Sequence, residues 1–213
     1  MYIPSHFAET DLATLHEAME ASPLGALVVA SPNGLEANHV PFELDRATGE
    51  LGTLHCHVAR NNGVWRYPNA ECMVIFAGPS AYISPNLYES KKEHGKVVPT
   101  YNYVAIHAHG RLTIHDDEKW LRGLVGRLTN RFEASQPHPW KMGDAPQDYL
   151  QDRLKEIVGI EIAITCLEGK WKMSQNRPEM DKESVVKGLS ASENPAAREV
   201  AGIVETRAAK PPQ

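Results

Sequence analysis

His55-Cys56-His57-Val58-Ala59-Arg60-Asn61-Asn62-Gly63-Val64-Trp65 opens as an alternating segment and closes on a polar turn. In an extended chain His55 and His57 share one face and Cys56 takes the other. Arg60 and the Asn61-Asn62-Gly63 turn follow, and Val64, Trp65 and Tyr67 then suggest a helix start. An arginine offers a rigid fork of donors that matches phosphate. Backbone N–H groups left free at a turn or helix start add to it. The stretch therefore reads as a strand ending in a small anion-binding turn, expected to hold the phosphate of a cofactor. The competing reading is a strand, a turn and a solvated arginine.

Working outward, the chain is rich in strands. Leu24–Ala30 reads as a buried strand, Asn33-Gly34 as a tight hairpin turn and Leu35–Leu44 as the return strand. Leu51–Val58 leads into the opening stretch. Glu71–Ala77 reads as a core strand, broken by Gly78-Pro79 and followed by a short extended piece at Ala81–Ser84. Val97–His115 is long and β-like, while Ile157–Leu167 and Lys170–Asn176 alternate. Helices are expected over Leu12–Ala21, Glu118 to about Ala134, Gln147–Glu156, Asp181–Leu189 and Asn194–Thr206. Antiparallel strands with peripheral helices imply an α+β chain, mostly antiparallel β and closed towards a barrel. The expectation is one domain over 1–213, with helices at about 181–206 as an appendage and a frayed tail from Ala208.

With 213 residues and 42% hydrophobic, the chain can bury a real core. A net charge of −5 argues against a broad nucleic-acid footprint and leaves room only for local patches. Three widely spaced cysteines without a CxxC suit free thiols in a reducing cytoplasm. The N-terminal residues lack the basic and apolar regions of a signal peptide, and no apolar run reaches membrane-span length.

Three strand segments carry unusual polar residues. They are His55 and His57 with Arg60; Thr100, Asn102, His107 and His109; and Lys170, Lys172, Ser174, Gln175 and Asn176. On an unbroken strand Lys170, Lys172 and Ser174 would face one way, and Trp171, Met173 and Gln175 the other. An ordinary half-buried strand with a solvated lysine face fits equally well. The pairs His55/His57 and His107/His109 raise a metal or haem site, but no acidic or cysteine pattern completes a ligand set, so no metal is expected. No GxSxG, HExxH, GxGxxG or P-loop is present.

Read together, the segments resemble the PaiB family. The pieces are Met1-Tyr2-Ile3-Pro4 with His6-Phe7; Asn38-His39-Val40-Pro41-Phe42; and His57-Val58-Ala59-Arg60 with Asn62 and Trp65. Phe76 to Pro85 with Tyr88, then Val98 to Tyr103 with His107 and Gly110, and finally Gly169 to Asn176 complete the set, in order along the chain. Gly63 stands where the family usually has Pro, Tyr101 where it has Trp and Met173 where it has Leu. The resemblance implies an FMN-binding split β-barrel that is a homodimer with the flavin at the subunit interface. It also implies a negative transcriptional regulator; DNA contact follows from that label and not from charge or motif. A flavin-dependent oxidoreductase without DNA binding is the alternative. The flavin itself carries the redox chemistry, so no catalytic triad is required. On this view His57, Arg60 and Asn62 serve the phosphate. Lys172, Ser174, Gln175 and Asn176 serve the ring or ribityl chain, from the same or the partner subunit. Trp171 or Tyr101 borders the ring, and Thr100 and Asn102 complete the cofactor-binding set.

Overall fold

A computed structural model describes residues 1–208; the tail expected to fray lies, beyond Ala208, outside the described residues. Along the chain come β1 (Ala8–Glu9), α1 (Leu12–Ala21), β2 (Leu24–Ser31), β3 (Gly34–Pro41), β4 (Glu43–Asp45) and β5 (Thr53–Ala59). Next are β6 (Glu71–Ile83), α2 (Lys91–His94), β7 (Thr100–Arg111), β8 (Thr113–His115) and α3 (Glu118–Glu133). The rest is α4 (Gln147–Lys155), β9 (Ile157–Ala163), β10 (Cys166–Lys172), α5 (Glu179–Ser190) and α6 (Pro195–Ala208). One sheet has the strand order β1-β10-β7-β6-β2-β3 and the other β4-β5-β9-β8. The chain divides into two compact units, one of Met1–Leu15, Ala77–Ile106 and the residues from Glu168 on, the other of His16–Phe76 and His107–Leu167.

In the unit built from His16–Phe76 and His107–Leu167, the Asn33-Gly34 turn closes the β2–β3 hairpin as expected. Ser31 pairs with Gly34 and Leu24 with Pro41, and Gly34 takes φ +110°, a value that L side chains rarely adopt. β5 pairs antiparallel with β9 in a register that places His57 opposite Gly159. Leu54, Cys56, Val58, Val158, Ile160 and Ile162 are buried. α3 starts on Asp117, whose side chain accepts from the backbone N–H of Trp120. Its Leu121, Leu124 and Leu128 are buried. Each such side chain contributes about 1.5–3 kcal/mol. The helix start expected after Arg60 is a short 3₁₀ turn, Gly63–Arg66.

In the other unit β1 pairs antiparallel with β10, Ala8 opposite Lys170. Two expectations are corrected here. β6 runs unbroken through Gly78-Pro79. Gly78 is a packing position and not a break, because a Cβ there would lie 2.8 Å from Cβ of Val104. The alternation expected over Lys170–Asn176 stops at Lys172, since Ser174 adopts φ +63° and turns the chain. Met173 and Ser174 are therefore both buried, where an unbroken strand would have put them on opposite faces. α5 is fixed by Asp181, which is fully buried and accepts from the backbone N–H and the hydroxyl of Ser90 at 2.9 and 2.7 Å.

Candidate functional site

Two polar constellations lie at strand ends, one in each unit. The first follows β5. Arg60 Nε donates to the carbonyl of Lys155 at 2.6 Å, and Nη2 donates to that of Ile157 at 3.1 Å. Nη1 and Nη2 also grip the two oxygens of Asp116 at 2.8 and 2.5 Å. The bond from Arg60 is the main reason that the Asp116 carboxyl sits below its ordinary value. The carbonyl of Arg60 accepts from Nε1 of Trp65 at 2.9 Å. A guanidinium has five N–H donors, and these contacts engage four of them. An incoming phosphate would meet one remaining N–H unless Asp116 moved aside.

The neighbours of Arg60 are similarly occupied. Asn62 caps the 3₁₀ turn by accepting from the N–H of Val64 at 3.0 Å, and it donates to Oδ1 of Asn38 at 2.7 Å. His57 is half-buried, and its Nδ1 has no hydrogen-bond partner among the described residues. Burial holds its pKa below the ordinary imidazole value, as expected for a charge with no compensation. At Gly63 nothing lies within 4 Å of an added Cβ, so the position is open.

The second constellation is built by the first half of β7 and the end of β10. Even-numbered β7 residues from Asn102 face inward, and Asn102 is 1% exposed. A buried amide requires a partner, and Ser174 supplies it, with Asn102 Nδ2 donating to its Oγ at 2.9 Å. Lys172 Nζ donates to Oγ1 of Thr100 and to the carbonyl of Tyr101, both at 2.5 Å. Both acceptors are neutral. Burial, then the charges of Lys170 and Arg177, push the Lys172 pKa below its ordinary value. Gln175 closes the turn, donating to the carbonyl of Trp171 at 2.5 Å while its Oε1 accepts from the N–H of Met173 at 2.7 Å. Asn176 is exposed. Tyr101 is 56% exposed and meets Tyr82, 51% exposed, edge to face at 5.7 Å between centroids.

Of the ten expected site residues, the structure thus places Thr100, Tyr101, Asn102, Lys172, Ser174 and Gln175 where β7 begins and β10 ends, in three separate hydrogen-bonded groups: Lys172 with Thr100 and Tyr101, Asn102 with Ser174, and Gln175 with the turn backbone. His57, Arg60 and Asn62 belong to the other constellation. Two participants, Asp116 and Arg177, have no site role in the reading from sequence, and Lys170 stands there only as one polar residue of its strand. Asp116, the partner of Arg60, is too far along the chain for any local pattern to show it. Arg177 and Lys170 act on Lys172, and the signal for them was present: 170–177 holds three cations and no acid. Elsewhere, a groove of about 400 Å³ between α5 and α6 is lined by Glu179, Lys182, Glu183, Val186, Lys187 and Glu205. It shares no residue with either constellation.

Comparisons with known proteins fit these elements. The family model described as "Putative FMN-binding domain" matches residues 1–166. The "Protease synthase and sporulation protein PAI 2" of Bacillus subtilis is 29% identical over 212 residues, covering 99% of each chain. An uncharacterized protein of Emericella nidulans is 32% identical over an alignment of 244 residues, covering 97% of each. Among solved structures, the FAD and haem binding protein of Mycobacterium smegmatis superposes with TM-score 0.59 at 15% identity, over 85% of this chain and 80% of that one. The flavocytochrome of Azotobacter vinelandii gives TM-score 0.56 at 10% identity, over 78% and 69%. At those identities the likeness is one of fold, and the fold is the α+β split barrel expected from the sequence. With a family model over most of its length and a PaiB-type relative matching it from end to end, the chain belongs to the family described as "Putative FMN-binding domain", as a PaiB-like flavoprotein.

Proposed function

We propose that this protein binds FMN and acts as a PaiB-type regulator in the form of a cytoplasmic homodimer, with the polar ends of β7 and β10 as one wall of the flavin site. The observation that carries the reading is the group of residues where β7 begins and β10 ends: a cation on neutral acceptors, a buried amide–hydroxyl pair and an exposed aromatic pair. FMN asks for these groups: donors for an anion, polar contacts for a hydroxylated chain and a flat border for a ring.

When bound, the flavin supplies reversible electron uptake, so its redox state or its occupancy would be the signal. Lys172 and Ser174 hold and orient the ligand. Tyr101 and Tyr82 present apolar surface of the kind that a ring or a second subunit covers. Regulation draws its support from the end-to-end likeness to the Bacillus subtilis protein, whose name refers to protease synthesis and sporulation. With a net charge of −5, any contact with DNA would rest on local cationic patches. Free Cys56, Cys72 and Cys166 suit a reducing compartment.

Titration of FMN fluorescence with purified protein, with identification of any chromophore released on denaturation, tests cofactor binding. The expected result is quenching and recovery of FMN; unquenched FMN fluorescence throughout would overturn the reading. Sedimentation tests the dimer. A gel shift on the upstream region of its own operon, run at moderate salt against a non-specific duplex, tests the regulator. Equal binding to both duplexes would remove direct DNA contact.

A further inference from the structure

We propose that Lys170, Lys172 and Arg177 together form a binding site for an oxyanion of the phosphate-monoester class. The segment Lys170-Trp171-Lys172-Met173-Ser174-Gln175-Asn176-Arg177 carries three cations and no acid, in a chain whose net charge is −5. It lies beyond residues 1–166, which the family model matches. β10 places the two lysines on one face, and the Ser174 turn brings Arg177 close enough for its charge to be felt at Lys172.

None of the three has an ion-pair partner among the described residues. Lys170 is only 8% exposed, and its Nζ donates to the carbonyl of Tyr2 at 3.1 Å. It lies 5.2 Å from the Tyr103 ring centre and 5.8 Å from that of Tyr2. Lys172 Nζ donates to a hydroxyl and a carbonyl and lies 6.0 Å from the ring of Phe7. The Arg177 guanidinium lies 4.4 Å from the ring of Tyr88. Nearby carboxylates are committed elsewhere. Glu9 pairs with Arg207 and accepts from the N–H of Asp11. Asp181 accepts both bonds from Ser90.

Gathering three like charges, one of them more than nine-tenths buried, costs free energy that the rings and neutral acceptors offset in part and that a bound anion offsets further. Burial first, and then the charges of Lys170 and Arg177, push the Lys172 pKa down. A single carboxylate would offset one charge of the three. A phosphate monoester brings close to two negative charges near neutral pH and three acceptor oxygens. The terminal phosphate of FMN has this chemistry, and so does a separate phosphorylated ligand. The first source rests on the flavin reading above; the site itself does not.

Titrating wild type, Lys172→Met, Lys172→Arg and Arg177→Met with FMN and with riboflavin separates the two sources, circular dichroism confirming that each variant is folded. If the flavin is the source, Lys172→Met weakens FMN roughly tenfold to a hundredfold, the range of a charge-assisted contact. Riboflavin is then unaffected, and Lys172→Arg keeps most of the FMN affinity. If FMN and riboflavin respond alike, or neither binds, inorganic phosphate is titrated into flavin-free protein by ³¹P NMR. Saturable binding that disappears in Lys172→Met and Arg177→Met upholds the site for a separate phosphate ligand. Phosphate binding that is absent, or unchanged in both variants, overturns it. Loss of flavin binding alone overturns only the flavin reading.

Discussion

Arg60 and Lys172 each follow or end a strand, each hold a backbone carbonyl, and each stood out in the sequence as a cation next to polar residues. Their surroundings differ in one decisive way. Arg60 is matched by a carboxylate that takes two of its donors; Lys172 has neutral acceptors and two further cations for company. A matched cation has little left to give a ligand, whereas one without a carboxylate keeps its charge available. The partner of a charge, more than its residue type, therefore says whether it builds the protein or waits for something else.

The contrast can be broken by experiment. The largest effect is expected from Lys170→Met combined with Lys172→Met. This pair should lower FMN affinity about a hundredfold while raising the melting temperature of the ligand-free protein, because repulsion is removed. A fall in melting temperature would mean that the lysines are structural after all. Next, Ser174→Ala should destabilise by about 1–3 kcal/mol in denaturant unfolding, because it leaves the buried Asn102 amide without its partner. Arg60→Met should act the opposite way to the lysines, lowering the melting temperature and leaving the ratio of FMN to riboflavin affinity unchanged. A collapse of that ratio would return the phosphate to Arg60.

The smallest effect is one of pH. The folded Asp116 carboxyl titrates below its ordinary value of 3.8, so its contribution is fully present above that value and is lost as pH falls through the lower folded one. The stability difference between wild type and Asp116→Asn should accordingly be flat through neutral pH and close in acid. A difference that persisted in acid would show that Asp116 acts through something other than its charge.

What the sequence disclosed follows from range. Asn33-Gly34 dictates a hairpin by the conformations of its own two residues, and α3 is marked by its cap and its inward leucines; both signals are local and both were readable. Gly78-Pro79 misled because a glycine that breaks a strand and a glycine that admits a neighbour's side chain are the same letter. Val104, which decides between them, is remote in sequence. The alternation from Lys170 failed at Ser174 because a left-handed residue there reverses the inward and outward faces, and serine gives little warning of it. The pairing of Arg60 with Asp116 joins residues that no spacing rule connects. The acid-free run from Lys170 to Arg177 was visible throughout, but its meaning depended on where the nearest carboxylates were engaged.

Trp171 sits between the two lysines in sequence and on the other face of β10, buried, with the guanidinium of Arg207 in α6 lying 5.0 Å from its ring centre. The last helix thus ends on an indole, which gives the molecule an optical gauge of its own. With the other three tryptophans replaced by phenylalanine, lifting of α6 would hydrate Trp171 and move its emission to the red. The docking of that helix could then be followed in real time.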